Sequence, residues 1–142
     1  MTEKKIPPID NDKLRRQPRI LLAEDDPTIR QVLGGMLKRS DYDPDFAEDG
    51  RQAVKMWETG RYDLVLMDIQ MPRLNGLDAT SLIRKQERER GGHTPIIAMT
   101  AHAGKERCLA AGMDSYVSKP IDFGETLQLI GEIIQQKSGG TC

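Results

Sequence analysis

Several residue classes that mark other kinds of protein are scarce in this chain of 142 residues. It has two cysteines, Cys108 and Cys142, in such different contexts that they do not form a disulfide framework. It also lacks a CxxC motif and a cluster of cysteine with histidine, so the sequence gives no indication of a zinc site. This cysteine usage fits a reducing compartment, and we expect a cytoplasmic protein.

Long apolar runs and an excess of one charge are missing as well. No run approaches the length of a membrane span, and the first 18 residues contain no apolar core of a signal peptide. The formal net charge is −1 and the sequence pI is about 6.1, so no overall positive field would attract nucleic acid or an anionic lipid surface. We therefore expect neither nucleic acid nor a membrane as a direct partner.

The composition divides the chain into three regions. Residues 1–18 hold three prolines and many charges but few large apolar groups, which predicts a flexible arm or linker. Residues 137–142 are similar and are predicted to be a disordered tail. Residues 19–136 are enough for one domain with a real core, and too few for two ordinary domains.

Short apolar runs within this region predict strands. Three runs are apolar throughout, as is typical of parallel strands that are covered on both faces. Two weaker signals bring the number to five, and one of them follows Pro44, which belongs at the edge of a sheet. In chain order the predicted strands are 20–23, 45–47, 64–67, 96–99 and 115–118.

Helical patterns alternate with these runs. Asp26 and Pro27 are good residues for the cap and the first turn of the first helix. Its apolar face is predicted to contain Ile29, Val32, Leu33, Met36 and Leu37. Leu77, Leu82 and Ile83 begin the face of the third helix, whose charged end at 84–92 is expected to be solvated. Strict alternation of five strands and five helices indicates an α/β sheet with right-handed crossovers.

Polar side chains come where these strands end. The carboxyl ends of parallel strands meet at one edge of a sheet, which is where ligands bind in such folds. Residues far apart in the sequence are therefore expected to become neighbours. They are Glu24, Asp25 and Asp26 after the first strand, Asp68 after the third, Thr100 after the fourth and Lys119 after the fifth.

The residue types at this edge indicate phosphoryl chemistry. Crowded carboxylates repel one another, and a divalent cation relieves the repulsion. Oxygen ligands without histidine or cysteine favour Mg²⁺. A lysine and a hydroxyl suit a phosphoryl group, and an aspartate can accept one to form an aspartyl-phosphate. Asp68 is the candidate acceptor.

Four motifs closely resemble the receiver domain of two-component response regulators, over about Arg19 to Gln136. The motifs are "ILLAEDDPTIR", "LVLMDIQMPRLNG", "PIIAMTAHA" and "YVSKPI". The residues of these motifs are most similar to those of receivers attached to hybrid histidine kinases. The resemblance implies a flavodoxin-like, doubly wound, five-stranded parallel sheet of order 2-1-3-4-5 with five flanking helices.

The same resemblance implies a role for each site residue. Asp68 would be the phosphoacceptor, and Mg²⁺, for which Mn²⁺ could substitute, would be the cofactor. Lys119–Pro120 would be a cis peptide. Asp26 is assigned to helix capping, because the motif places the metal pair one residue earlier. The implied metal ligands are Glu24, Asp25, Asp68 and the backbone carbonyl of Gln70. Thr100 and Lys119 would contact the phosphoryl group, and Thr100 and Tyr116 would be the switch residues.

The expected function is that of a phosphoacceptor signalling domain in a phosphorelay. A histidine kinase or a histidine phosphotransfer domain would supply the phosphoryl group. Catalysis would be limited to the domain's own phosphorylation and dephosphorylation. Phosphorylation would change a surface made of the helix near 103–111, the fifth strand and the last helix, to which a downstream protein binds. We expect a monomer or a weak dimer.

Two other functions remain open from the sequence. A phosphatase with an aspartyl nucleophile uses a similar sheet, but such enzymes resemble a DxD pattern, and the residue two after Asp68 is Gln70. A degenerate receiver that acts only as a docking scaffold is the other alternative, and the full set of acids with Lys119 argues against it.

Overall fold

The strands form one parallel sheet, as predicted. The computed structural model describes residues 17–101 and 104–139, with side chains up to residue 136. Its sheet has the order β2-β1-β3-β4-β5, and every neighbouring pair is parallel. The strands are β1 (Arg19–Ala23), β2 (Asp43–Ala47), β3 (Leu64–Asp68), β4 (Ile96–Thr100) and β5 (Ser115–Ser118).

Five helices flank this sheet and confirm the α/β fold. The first four each connect one strand to the next, and the fifth follows β5. They are α1 (Pro27–Arg39), α2 (Gly50–Thr59), α3 (Gly76–Arg90), α4 (Lys105–Ala111) and α5 (Phe123–Gly139). Helices α1 and α5 cover one face, and α2, α3 and α4 cover the other.

The alternation of side chains along the strands divides the core into two layers. Leu21 and Met67 point to the face under α2, α3 and α4, whereas Ile20 and Leu66 point to the face under α1 and α5. All five residues of β3 are buried. The continuous apolar runs are therefore explained by strands that are covered on both faces. Burial of each large aliphatic side chain there contributes about 1.5–3 kcal/mol to the stability of the fold.

Strand β2 begins two residues earlier than the sequence predicted, so it includes Pro44. Pro44 pairs with Ile20 of β1, and β2 lies at the edge of the sheet. A proline can be accommodated there because an edge strand has one side without a ladder partner. The expectation that Pro44 belongs at an edge is confirmed.

Two predicted core residues are wrong. Val32 is 43% exposed and Leu82 is 42% exposed. Each lies next to a fully buried neighbour, Leu33 or Ile83, and is turned about 100° from it around the helix axis. The buried residues of α3 are Gly76, Ala79, Thr80, Ile83 and Glu87, so Leu82 lies outside its buried stripe.

Most of the charged end of α3 is exposed, as predicted, but Arg84 and Glu87 are exceptions. The Arg84 side chain is only 12% exposed and pairs with Glu87 at 2.6 Å and with Asp114 at 2.8 Å. It also donates to the carbonyls of Gly112 and Thr94 at 2.8 and 2.9 Å. Charge composition did not reveal this network, because three of its acceptors, Thr94, Gly112 and Asp114, come from the loops that precede β4 and β5.

The predicted terminal regions are only partly described. Helix α5 continues to Gly139, so the predicted tail at 137–142 begins inside a helix. Residues 1–16, 102–103 and 140–142 lie outside the described residues, and these include most of the predicted arm and the first residue of the predicted switch segment at 103–111. No helix in the described part of the chain combines the length and apolar character needed to cross a bilayer.

Candidate functional site

The polar residues that end the strands do come together at the carboxyl edge of the sheet. Asp68 is the last residue of β3 and pairs in register with Met99 of β4. Thr100 is the last residue of β4 and pairs with Ser118 of β5, one residue before Lys119. Since β1 lies on the other side of β3, Glu24 reaches the same place.

Lys119 is ion-paired with two of these acids. Its Nζ lies 3.1 Å from Oδ1 of Asp68 and 3.4 Å from Oε1 of Glu24. Burial lowers the pKa of Lys119, but its hydrogen bond to Asp68 and the charges of Asp68 and Glu24 outweigh burial, so the pKa is raised above its ordinary value. Lys119 therefore keeps its positive charge beside the acids at neutral pH.

Glu24, Asp25 and Asp68 form an acidic cluster whose carboxylate oxygens lie within 4.8 Å of one another. Glu24 and Asp68 are buried, at 1% and 3% exposure, while Asp25 is exposed. Burial, together with the nearby charge of Asp68, raises the pKa of Glu24 to about 7 despite a hydrogen bond from the Asp26 backbone. Crowding and burial thus favour a proton on Glu24, which a bound cation would have to displace.

Glu24 is held in place by its own backbone and by its neighbours. Its amide donates to the Ala47 carbonyl at 3.0 Å, and its carbonyl accepts from Nη1 of Arg30 at 2.8 Å. Its Oε2 accepts from the Asp26 amide at 3.1 Å. Oε1 is buried and accepts no well-formed hydrogen bond from the described residues, although it faces Lys119.

Asp26 has the capping role that the sequence predicted. Its Oδ1 accepts from the amides of Thr28 and Ile29, at 2.8 and 3.3 Å, at the start of α1. Pro27 occupies the first turn, where a missing N–H costs nothing. The acid that follows the candidate metal ligands Glu24 and Asp25 thus caps the helix.

The loop after Asp68 folds tightly against that residue. The Gln70 amide donates to Oδ1 of Asp68 at 3.2 Å, and the Gly76 amide donates to the Ile69 carbonyl at 2.8 Å. A Cβ at Gly76 would lie 2.2 Å from the carbonyl oxygen of Asp68. Glycine is needed here because the first turn of α3 packs directly on the backbone of the candidate acceptor.

Asp68 opens into a small cleft of about 110 Å³. Thr100, Lys119 and Gln70 line the cleft, as expected, and so does Arg107 from α4. Arg107 also lines the adjoining, more open cleft next to Asp25. Sequence reasoning missed Arg107, because a single arginine on a short helix carries no motif and only the packing of α4 brings it to the site.

Thr100 and Tyr116 lie on neighbouring strands. Thr100 is buried at 7% exposure, and its carbonyl accepts from the Lys119 amide at 2.7 Å. Tyr116 pairs with Ala98 and is half-buried, with Nζ of Lys105 lying 6.0 Å from the centre of its ring. The Lys119–Pro120 peptide is cis, as expected.

The donor set at this site fits a hard divalent cation. Three carboxylates converge without a histidine or a cysteine among the clustered groups of the described chain. A buried oxygen of Glu24 accepts no hydrogen bond from those described residues. Mg²⁺ prefers oxygen ligands and usually keeps waters, which the adjoining open cleft could accommodate.

The strand order, the acid cluster and the bridging lysine are all features of the family that the four motifs resemble. The family model described as "Response regulator receiver domain" matches residues 20–131. The chain belongs to the response regulator receiver domain family. It is a receiver domain of two-component phosphorelay signalling, which confirms the assignment made from the four motifs.

Hybrid histidine kinases are among the relatives of this receiver domain. Hybrid signal transduction histidine kinase I of Dictyostelium discoideum is 44% identical over 112 residues, which cover 73% of this chain but 6% of that protein. The receiver domain therefore spans a small part of the length of that relative. The likeness to receivers of hybrid kinases is confirmed.

Solved receiver domains have the same fold. The receiver domain of the sensor histidine kinase PA1611 from Pseudomonas aeruginosa is 40% identical, with a TM-score of 0.76, over 84% of this chain and 98% of that one; a magnesium ion is coordinated in its active site cleft. A structure of the Saccharomyces cerevisiae phosphotransfer protein Ypd1 with the receiver domain of Ssk1 matches at 27% identity and a TM-score of 0.81, over 86% of this chain and 92% of that one.

Proposed function

We propose that this receiver domain accepts a phosphoryl group on Asp68 from a phosphohistidine. The observation that carries the proposal is the 3.1 Å contact between Lys119 and Asp68 in a cleft that Thr100 also lines. A buried carboxylate beside a fixed cation and a hydroxyl suits an acceptor whose phosphorylated form must be stabilised.

Apart from a proton from solvent, the transfer needs only the phosphohistidine and the Asp68 carboxylate. A carboxylate oxygen of Asp68 forms a bond to phosphorus while the bond between phosphorus and the donor's imidazole nitrogen breaks. The imidazole leaves with the electron pair and takes a proton from solvent. Rigid placement of Asp68 at a strand end favours this step, because positioning and charge neutralisation dominate phosphoryl transfer.

Glu24, Asp25, Asp68 and the backbone carbonyl of Gln70 would hold Mg²⁺, and Mn²⁺ would substitute. When bound, the cation neutralises charge on the phosphoryl oxygens. The PA1611 receiver, which holds magnesium in its cleft, supports this proposal. The acid cluster of this chain supports it independently.

Lys119 and Thr100 would act on the phosphorylated state. Lys119 pairs with a phosphoryl oxygen in place of Asp68, and the Thr100 hydroxyl donates to another. Movement of Thr100 leaves room for Tyr116 to turn inward from β5. The surface of α4, β5 and α5 would thereby change and bind a downstream protein, in a two-state equilibrium that the added charge biases.

The proposed donor is a histidine kinase or a histidine phosphotransfer domain. The complex of Ypd1 with the Ssk1 receiver supports the second kind of partner. We propose a monomer or a weak dimer in the cytoplasm that catalyses only its own phosphorylation and dephosphorylation. Cys108, a free and buried thiol, is compatible with a reducing compartment.

Intact mass measurement tests the acceptor. Incubation with Mg²⁺ and a small acyl phosphate should add one phosphoryl group to the parent chain and none to Asp68→Asn. If Asp68→Asn still gains a phosphoryl group, a residue other than Asp68 is the acceptor. A parent that takes up no phosphoryl group, from either the acyl phosphate or a phosphorylated phosphotransfer domain, would favour the scaffold alternative, and steady turnover of phosphate esters would favour the phosphatase.

A further inference from the structure

The loop between β3 and α3 contains a backbone conformation that needs external support. Arg73 has a φ of 65°, in the left-handed region, and the Leu74 amide donates to the Pro72 carbonyl at 2.6 Å across it. This three-residue turn with positive φ at its centre is rare and strained in a non-glycine residue. Something outside the turn must stabilise it.

Asp49 supplies that support from the start of α2. Its Oδ2 accepts from Nε of Arg73 at 2.7 Å, while its Oδ1 caps the helix by accepting from the Gln52 amide at 2.8 Å. Asp49 is buried at 6% exposure. The hydrogen bond from Gln52 and then the contact with Arg73 hold the pKa of Asp49 below its ordinary value.

A second contact joins the same two elements. A Cβ at Gly50 would lie 2.0 Å from the carbonyl oxygen of Leu74, so the first residue of α2 touches the backbone of the loop. Together, the ion pair and this close approach fix the loop at Arg73 and at Leu74. The start of α2 therefore sets the position of the loop from outside.

The supported loop also carries part of the candidate metal site. Gln70 lies three residues before Arg73, and its amide bonds Oδ1 of Asp68. The loop closes through the bond from Gly76 to Ile69, so a shift at Arg73 cannot be absorbed by free chain ends. A change at the turn would therefore have to be taken up within the loop, which includes the backbone of Gln70.

We propose that Asp49 and Arg73 form a clamp that positions the backbone carbonyl of Gln70 for the divalent cation. They are positioning residues: neither is in the acid cluster, and both act through the loop. The inference rests on the proposed function, because it assumes that the cation binds at Glu24, Asp25, Asp68 and Gln70. Arg73 would hence affect the affinity for Mg²⁺ although it is not itself a metal ligand.

Charge alone predicts the opposite effect for Arg73. Removing a cation near an anionic metal site strengthens the attraction of Mg²⁺ to it. The clamp predicts weaker binding, because a ligand oxygen is no longer held in place. The sign of the change in affinity therefore separates the two explanations, and variants of Arg73 are more decisive than variants of Asp49.

The experiment is a titration with Mg²⁺, in which binding is measured from the amide chemical shifts of residues 24–26 and 68–70. It is carried out on the parent and on three variants, Arg73→Ala, Arg73→Gly and Arg73→Lys. Arg73→Gly relieves the strain of positive φ but loses the ion pair, whereas Arg73→Ala loses the pair and keeps the strain. Arg73→Lys keeps a cation that can reach Asp49. Urea unfolding of each variant in parallel records its stability.

We expect the dissociation constant for Mg²⁺ to rise about threefold to tenfold in Arg73→Ala and Arg73→Gly, at or below the lower end of the range for groups that orient a metal ligand. Arg73→Lys should recover part of the loss. Affinity equal to or tighter than that of the parent in Arg73→Gly would overturn the proposal, even if its stability falls.

Arg90→Ala is the matched control. Arg90 is an exposed arginine at the other end of α3, where it lies over Trp57 and donates to Glu58. Arg90→Ala changes the net charge by the same amount as Arg73→Ala and also removes side-chain contacts, and it should leave the affinity for Mg²⁺ unchanged. If Arg90→Ala weakens Mg²⁺ binding as much as Arg73→Ala does, the effect at Arg73 is nonspecific and the clamp is overturned. Failure of the parent itself to bind Mg²⁺ would contradict the proposed metal site, and so is distinguishable from a failure of the clamp.

Discussion

The ammonium nitrogen of Lys119 lies 3.1 Å from Oδ1 of Asp68 and 3.4 Å from Oε1 of Glu24, so one cation bridges the ends of β3 and β1. Lys119 itself follows β5, at the far side of the sheet. Its side chain must cross the end of β4 to reach the acids, and Thr100, the last residue of β4, lines the same cleft. The bridge therefore connects the residues that would hold the metal with those that would respond to phosphorylation.

Replacing Lys119 by methionine should have opposite effects on metal binding and on chemistry. Mg²⁺ should bind at least as tightly, because a competing cation is removed. Phosphorylation by an acyl phosphate should slow by about 100-fold, as expected when one charge-stabilising group is lost from a transition state. Metal titration and the rate of adduct formation test the two parts, with Lys119→Arg as the variant that keeps the charge. Weaker Mg²⁺ binding with an unchanged rate would contradict this role.

Mg²⁺ affinity should increase with pH through neutrality. The pKa of Glu24 is raised to about 7, so below that pH the metal-free protein carries a proton on Glu24 that the cation must displace. Because binding requires the carboxylate, affinity should rise severalfold between about pH 6 and about pH 8 and then level off. Calorimetry in buffers of different ionisation enthalpy should detect the released proton.

Glu24→Gln is the control for this pH dependence. The amide has nearly the shape of the carboxyl but cannot release a proton, so its weaker Mg²⁺ binding should vary less over the same range. If the parent binds Mg²⁺ equally at both pH values and releases no proton, the raised pKa of Glu24 is not linked to metal binding.

Gly76→Ala should damage both stability and phosphorylation. Its Cβ would lie 2.2 Å from the Asp68 carbonyl oxygen and 2.9 Å from Cγ of Met67, and backbone cannot move aside as a flexible side chain can. We expect a loss of about 1–3 kcal/mol in the free energy of unfolding, measured with urea, and slower adduct formation.

Gly35→Ala tests whether glycine matters only where space is short. Gly35 lies within α1, and among the described residues outside the local helix backbone its added Cβ would meet a side-chain nitrogen of Arg39 alone, at 3.4 Å. Alanine should be neutral or stabilise the protein by up to about 1 kcal/mol, since it favours the helix. Equal destabilisation at both glycines would contradict the close-packing explanation.

Arg84→Met should be strongly destabilising although it is remote from the site. Glu87 is 7% exposed and would lose its cation, which costs about 3–5 kcal/mol for a buried pair. Adding Glu87→Gln should recover part of the loss, since the amide can still accept from the Thr94 backbone, as Glu87 does at 2.7 Å. A double variant less stable than Arg84→Met, by urea unfolding, would show that Glu87 contributes without its partner.

The local sequence pattern predicted the main strands and helices correctly, but not which residues at the edge of each apolar face are buried. The runs at 20–23, 64–67 and 96–99 are strands, and Asp26 caps α1, because burial on two faces and helix capping are each encoded by adjacent residues. Val32 and Leu82 were placed in the core because periodicity defines a face only to within about one residue. Which apolar side chain at the margin is buried depends on the shape of the neighbouring element.

The clustering at the sheet edge was also predictable, since parallel strands end on the same side. Asp68, Thr100 and Lys119 follow apolar runs, and the fold brings them together as expected. Arg107 and the Arg73–Asp49 pair were not predictable. Their contacts join segments whose relative placement depends on how α2 and α4 pack, and ordinary surface arginines have the same appearance in a sequence.

The sequence by itself determined the alternation of strands and helices, the residue types at the carboxyl edge and the family, because these depend on short-range pattern and on motifs. Only the tertiary structure decided that Glu24 is buried beside Lys119, that Gly76 touches the backbone of Asp68, and that Asp49 holds Arg73. Distances of a few ångströms between remote segments follow from packing, in which every contact depends on all the others.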